Sequence, residues 1–340
     1  MYSLVRKALF MTDPETAHGL ALESLRLGHT AGLTRLMCKT KSSPLTVMGL
    51  QFPNRVGMAA GLDKNGDYIE ALGSLGFGFI EVGTVTPRAQ TGNPKPRLFR
   101  LEKAHALINR LGFNNKGVDH LVSQVSCHQF SGILGINIGK NFDTPNSEAA
   151  GDYLVCLEKV YQYADYITIN ISSPNTTGLR DLQNSEQLDV LLGTLNSKRQ
   201  ELSNKLQKRV PLVVKVAPDL SDDQIPEMAE IVVRNEFDGL IATNTTISRN
   251  TVKGLPHATE AGGLSGAPVK DKANHVLAAF RAALPSRVTL IGTGGITRGE
   301  DAAEKIRLGA DLVQFYTGFV YKGPDLLTAC LKAIEAQLPA

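Results

Sequence analysis

Residues 166–175 read YITINISSPN: a short β-rich apolar run that breaks off in Asn, Ser and Pro. A run of this length, apolar on both faces and bounded by turn residues, is a strand covered by helices on either side. The same design recurs outward in both directions. Before it come VGMAAGLDK (56–64), FGFIEVGTVT (77–86) and ILGINIGK (133–140); after it come PLVVKVAP (211–218), GLIATNTT (239–246), TLIGTGGI (289–296) and LVQFYTGF (312–319). That makes eight strands. Helical patterns fill the gaps at 115–128, 147–163, 185–206, 221–235, 271–284, 299–308 and 323–338, with Ser221 read as an N-cap ahead of Asp222 and Asp223. Eight strands alternating with helices, without a hairpin signal among the core runs, predict an α/β fold, a (β/α)8 TIM barrel. A doubly wound open sheet is the alternative. Two connections, 87–114 and 247–270, are longer than usual and fall where a barrel carries its active-site loops.

The 340 residues are 42% hydrophobic and 20% charged with a net charge of +3, which suits a globular chain and argues against a nucleic-acid partner. Cys38, Cys127, Cys156 and Cys330 are far apart, so neither a zinc site nor a disulfide framework is expected, and a reducing compartment fits. No run approaches the length of a membrane span and no signal-peptide pattern opens the chain, so the mature chain is expected to begin at Met1.

Residues 1–41 read as a separate segment, with the barrel domain over 42–340. The segment holds six basic residues (Arg6, Lys7, Arg26, Arg35, Lys39, Lys41) against three acids (Asp13, Glu15, Glu23). Leu4, Val5, Ala8, Leu9 and Phe10 form an apolar stripe, and Asp13-Pro14 starts a second helix whose face continues through Ala17, Leu20, Ala21, Ser24 and Leu25 to a stop near Gly28. It is either a helical cap on the barrel or a basic amphipathic hairpin lying on a membrane.

Polar residues gather at strand ends: Asn137 and Lys140, then Asn170, Ser172, Ser173 and Asn175, then Lys215, then Thr243, Asn244 and Thr245. In a barrel these positions converge, and several unpaired amides around one mouth call for a ligand, unless each satisfies its own turn. Lys64 and Lys215 need anionic partners, either a ligand or the nearby Asp63 and Asp219. Gly262, Gly263, Gly266, Gly292, Gly294, Gly295 and Gly318 fall in the loops after strands six to eight, where barrels bind phosphate. No His follows a core strand, and no metal site or nucleotide-triphosphate loop is present in the pattern.

Taken in order, AAGLDK (59–64), EVGTVTP (81–87), NRLGFNN (109–115), INISSPNT (169–176), VKVAPD (214–219), IATNTT (241–246), GGLSG (262–266), IGTGGI (291–296) and QFYTGF (314–319) resemble the dihydroorotate dehydrogenases. The head piece, and Ser173 where the soluble class has Cys, resemble the quinone-dependent, membrane-associated class 2. The resemblance implies an FMN-dependent enzyme that oxidises (S)-dihydroorotate to orotate in pyrimidine biosynthesis. It implies FMN contacts at Ala60, Gly61, Leu62, Asp63, Lys64, Thr84, Asn137, Asn170, Lys215, Thr243, Gly266, Gly295, Tyr316 and Thr317. The substrate would meet Lys64, Asn109, Arg110, Leu111, Gly112, Phe113, Asn170, Asn175, Asn244 and Thr245. Ser173 is implied as the base, relayed by Thr176 or a water, with turn-capping as its alternative role. His18 and Arg100 are implied along a quinone channel lined by Leu4, Val5, Leu9, Ala17, Leu20 and Ala21. The location implied is the cytoplasmic side of a bacterial inner membrane, bound peripherally through residues 1–41. The alternatives are a fumarate-linked soluble enzyme, or a barrel that binds a phosphorylated ligand without turnover.

Overall fold

The computed structural model describes residues 2–36 and 43–337. Strands β1 (Val56–Met58), β2 (Phe79–Val85), β3 (Ile133–Ile138), β4 (Tyr166–Asn170), β5 (Leu212–Val216), β6 (Gly239–Ala242), β7 (Thr289–Thr293) and β8 (Leu312–Phe315) pair in parallel and close into a barrel, with β8 beside β1. All eight fall inside the runs read from the sequence, and the open-sheet alternative is excluded by the closure. Side chains two apart on a strand share a face. Phe79, Tyr166, Val213, Ile241, Ile291 and Leu312 therefore point inward together as one apolar layer, sealed from below by Phe52. Size is matched within that layer: a Cβ on Gly57 would lie 2.3 Å from the Phe79 ring, and one on Gly135 would lie 2.2 Å from the ring of Tyr166.

Several elements depart from the expectations. Phe52 belongs to an unforeseen hairpin, Leu45–Val47 with Leu50–Phe52, turned by Met48 and Gly49 in left-handed conformations. The 221–235 helix begins only at Gln224, and Ser221 does not cap it. Pro226 explains the delay, since proline is tolerated in a first turn but not farther inside a helix. The end of the 312–319 run becomes a short helix, Thr317–Lys322, and another, Ile69–Gly73, follows β1. The last helix, Asp325–Glu335, stops short of Leu338, which lies outside the described residues.

Both long connections carry strands rather than plain loops. Leu98–Leu101, Ala106–Asn109 and Gly263–Gly266 form a three-stranded antiparallel sheet, so Gly263 and Gly266 are strand residues rather than loop glycines. One face of this sheet builds its own core from Phe99, Leu101, Ile108 and Leu264; the other face packs Leu98 and Leu107 on Tyr321. The sheet brings Asn109 from one side and Gly266 from the other to the barrel mouth.

The head is two helices, α1 (Tyr2–Phe10) and α2 (Pro14–Thr30). Asp13 Oδ1 accepts hydrogen bonds from the Glu15 and Thr16 amides, and Pro14 occupies the first position, as the sequence predicts; the helix runs past Gly28 to Thr30. No helix among the described residues is long and apolar enough to cross a membrane. Cys38, Lys39, Lys41 and the side chain of Arg35 lie outside the described residues, as does the expected 41/42 boundary.

Candidate active site

Two residues above the apolar layer, the same alternation puts Glu81, Thr168, Lys215, Thr293 and Gln314 into the barrel interior, all buried. Glu81 accepts hydrogen bonds from Asn137 Nδ2 (2.8 Å), Tyr166 Oη (3.1 Å) and Thr168 Oγ1 (3.1 Å), and its carboxylate lies 4.0 Å from Lys215 Nζ. Burial lowers the Lys215 pKa, against the opposing pull of Glu81. This carboxylate, not Asp219, is the partner of Lys215. Asp219 is taken by Arg180 and Lys272, and Asp63 by the amides of Asn65, Asp67 and Tyr68.

The strand-end amides form one network across the mouth. Asn170 Nδ2 donates to Thr84 Oγ1 (2.9 Å) and Asn137 Oδ1 (3.2 Å), while Asn244 Nδ2 donates to Ser172 Oγ (3.0 Å). Asn175 Nδ2 reaches Asn109 Oδ1 at 3.3 Å. Two cavities open on this network. One, of about 110 Å³, is lined by Lys64, Thr84, Asn109, Leu111, Gly112, Phe113, Asn170, Ser173, Asn175, Asn244 and Thr245, with Ala60, Gly61 and Tyr316. Burial holds Lys64 down at about 8, with Glu15 and Asp63 raising it and Arg97 lowering it. The Ser173 hydroxyl accepts the Asn175 amide at 3.2 Å, which leaves its proton to donate. Thr176 Oγ1 is buried without a partner among the described residues.

The second cavity, of about 80 Å³, lies among Thr243, Ser265, Gly266, Thr293, Gly294, Gly295, Tyr316 and Thr317, and shares Ala60, Asn109, Lys215, Asn244 and Thr245 with the first. Its glycines are required by conformation: Gly294 and Gly295 have φ of +98° and +80°, and a Cβ on Gly266 would lie 2.2 Å from the His105 carbonyl. Thr245 Oγ1 and Thr293 Oγ1 are buried without partners among the described residues, the orphaned donors and acceptors that a phosphorylated polar ligand would satisfy.

Some expected residues sit elsewhere. Asn137 lies behind the cavities, bracing Thr84. Lys140 turns away to the Thr144 carbonyl. Arg110 points outward to Glu260 at 2.7 Å and stacks on Phe99, because its neighbour Asn109 takes the inward strand position. Asp63 braces its loop, and Leu62 lines a third cavity described next. The sequence reading missed Glu81, Ser265 and Thr293. Glu81 and Thr293 could have been found by stepping two residues from Phe79 and Ile291; Ser265 lay in what read as a loop.

That third cavity, about 480 Å³ and mostly apolar, lies between the head and the barrel; Val5, Leu9, Ala17, Ala21, Leu62 and Phe319 line it, with His18 and Arg100 as polar members. Leu4 and Leu20 are not among its walls, since both face outward, Leu4 71% exposed. Burial lowers the His18 pKa to about 4, so it is neutral. Arg100 donates to the Phe10 and Thr12 carbonyls and stacks on the Phe10 ring. Tyr316 lines all three cavities.

A glycine-lined pocket, a polar cleft and an apolar vestibule meet at one point of the barrel mouth, which makes this a ligand-binding (β/α)8 barrel with its site at the C-terminal face of the strands. The comparisons with known proteins give the family. The model for dihydroorotate dehydrogenase matches residues 43–338. The dihydroorotate dehydrogenase (quinone) of Azotobacter vinelandii is 55% identical over 337 residues, 99% of this chain and 97% of that one. Its counterpart in Pseudomonas savastanoi is 54% identical over 341 residues, 100% of this chain and 99% of that one. The crystal structure of the DHODH of Eimeria tenella in complex with ferulenol superposes with a TM-score of 0.84 at 36% identity, covering 95% of this chain and 90% of that one. The chain belongs to the dihydroorotate dehydrogenase family, in its quinone-dependent class.

Proposed function

We propose that this chain oxidises dihydroorotate to orotate in the polar cleft, with the phosphate end of FMN in the glycine-lined cavity, its ring reaching the cleft, and a quinone arriving through the head. The observation that carries the reading is the meeting of the three cavities at Tyr316, which puts a polar reductant, a carrier and an apolar oxidant within reach of one another. FMN, when bound, supplies a two-electron carrier between substrate and quinone.

Gly266, Gly294, Gly295 and Thr317 would hold its phosphate, with the Thr243 and Thr293 hydroxyls beside them. Ala60, Gly61, Thr84, Asn170 and Lys215 would border its ring, where the buried Lys215 ammonium stabilises developing negative charge. Lys64 pairs with the substrate carboxylate, while Asn109, Asn170, Asn175 and Asn244 donate to its carbonyls and accept from its N–H groups. Oxidation removes a hydride equivalent from C6 and a proton from C5, forming the ring double bond. Ser173 takes the C5 proton and passes one on, through Thr176 Oγ1 or a water, because an isolated hydroxyl is a poor base. The electron pair ends on the quinone, which takes up two protons, equal in number to those lost from the substrate, and leaves as quinol.

The head supports peripheral binding at a membrane surface. Outside the cavity it exposes Leu4, Met11, Leu20, Leu27 and Leu33, alongside the basic Lys7. Arg6 is drawn inward to the Tyr321 carbonyl and Arg26 is paired with Glu23, so the free basic charge there is less than the sequence count suggests. A bacterial inner membrane, on its cytoplasmic side, is the location this favours. Extraction of denatured protein tests the cofactor: FMN in near-equimolar amount is expected, and recovery of FAD or of no flavin would overturn the assignment.

A further inference from the structure

We infer that the head is also part of the pyrimidine site, with Glu15 and Arg97 as positioning residues for its wall; this rests on the function proposed above. Arg97 is 7% exposed and spends its guanidinium on two elements at once. Nε and Nη2 donate to the two Glu15 oxygens at 3.0 and 2.7 Å, in the first turn of α2, while Nη1 donates to the Thr91 and Asn93 carbonyls at 2.6 and 2.8 Å. Asn93 Nδ2 continues the path to the Arg110 carbonyl at 2.8 Å and the Asn175 carbonyl at 3.4 Å. The Arg97 carbonyl itself accepts the Arg110 amide at 2.8 Å.

The packing at this buttress is tight. A Cβ on Gly112 would lie 2.9 Å from Asn93 Nδ2, and one on Gly92 would lie 2.1 Å from the Leu111 carbonyl. The wall so held carries Asn109, Leu111, Gly112 and Asn175, all of which line the polar cleft. A buried ion pair is weak evidence of stabilisation, because desolvation offsets its attraction, but it fixes geometry strongly. Glu15 acts in a second way. It is the head's carboxylate that opposes the effect of burial on Lys64, whose other charged neighbours are Asp63 and Arg97; the nearby His18 is neutral. Glu15 does not line the apolar cavity, although Pro14, Ala17 and His18 on either side of it do.

The test uses full-chain, flavin-loaded protein carrying Glu15→Gln, Glu15→Asp or Arg97→Met, with orotate binding read from the flavin spectrum and quinone reoxidation timed separately. In Glu15→Gln, orotate affinity and dihydroorotate KM are expected to weaken about tenfold, the loss of one charge-assisted bond's worth of positioning, with saturated flavin reduction and quinone reoxidation within about twofold of the parent. The alkaline limb of orotate binding should also move to lower pH, as Lys64 loses its supporting charge, and Glu15→Asp should restore that limb. Arg97→Met should weaken orotate affinity in the same direction and more strongly, but should move the alkaline limb to higher pH, because it removes a cation that lowers the Lys64 pKa; if it fails to fold, Glu15→Gln alone decides. Unchanged orotate binding and pH profile in Glu15→Gln overturns the inference. So does a parallel loss of orotate affinity, quinone reoxidation and flavin retention, which would mark general loosening. If the parent protein's flavin does not respond to dihydroorotate at all, the proposed function is what fails.

Discussion

Lys64 is a partly buried cation lining the polar cleft, and its pKa of about 8 gives substrate binding a defined pH dependence. The ammonium form pairs with a carboxylate, and that form dominates below the pKa. Affinity for orotate should therefore be flat below pH 8 and fall by up to about tenfold per pH unit above it. Lys64→Met should weaken binding and erase the limb; affinity that stays level to pH 10 in the parent protein would deny Lys64 the role. For Ser173, a proton acceptor in the transition state contributes about a hundredfold or more. Ser173→Ala should slow flavin reduction by at least about that factor while orotate binding is nearly kept, and Ser173→Cys should recover part of the rate at high pH as the thiolate forms. A stopped-flow reduction rate within about threefold of the parent would leave Ser173 only its hydrogen bond to the Asn175 amide. At this scale the sequence shows strand-end polarity well, because chain position and residue type alone carry it. It could not show that Arg110 faces outward, since that follows from the antiparallel pairing of Asn109 with Gly263.

Among the elements, the three-stranded sheet over the mouth was the least legible. Its strands are short, and their partners lie far apart in the chain, at 98–109 and 263–266. Length alone marked those connections as unusual. The head helices were easier, because Asp13-Pro14 punctuates them and the capping bonds form as that pair predicts. Which of their apolar residues face inward was not readable from the stripe, since both sides of the helices are apolar: Val5, Leu9, Ala17 and Ala21 line the cavity, whereas Leu4 and Leu20 do not. Ala21 provides the test of the cavity as a quinone path. Ala21→Phe should slow flavin reoxidation by long-chain quinones on the order of tenfold, by misplacing the acceptor, with reduction by dihydroorotate within about twofold of the parent. Equal reoxidation rates in the two proteins would mean that the acceptor reaches the flavin by another way.

On the scale of the whole molecule, the barrel was legible because its eight runs repeat one pattern and alternate with helices, and closure then follows without further information. What the pattern could not carry is how head and barrel join, because Glu15–Arg97, Tyr68–Glu23 and Arg6–Tyr321 are single contacts between distant segments. Those contacts set the polar cleft, the glycine pocket and the apolar vestibule against one another. The central claim, that electrons cross from a pyrimidine to a quinone through this junction, is tested by one anaerobic titration of the full-length protein followed by absorbance. Dihydroorotate should bleach the bound flavin completely, and a stoichiometric amount of ubiquinone analogue added next should restore the oxidised spectrum while fumarate does not. A flavin that stays oxidised in excess dihydroorotate, or that is reduced but recovers with fumarate and not with quinone, would contradict the account.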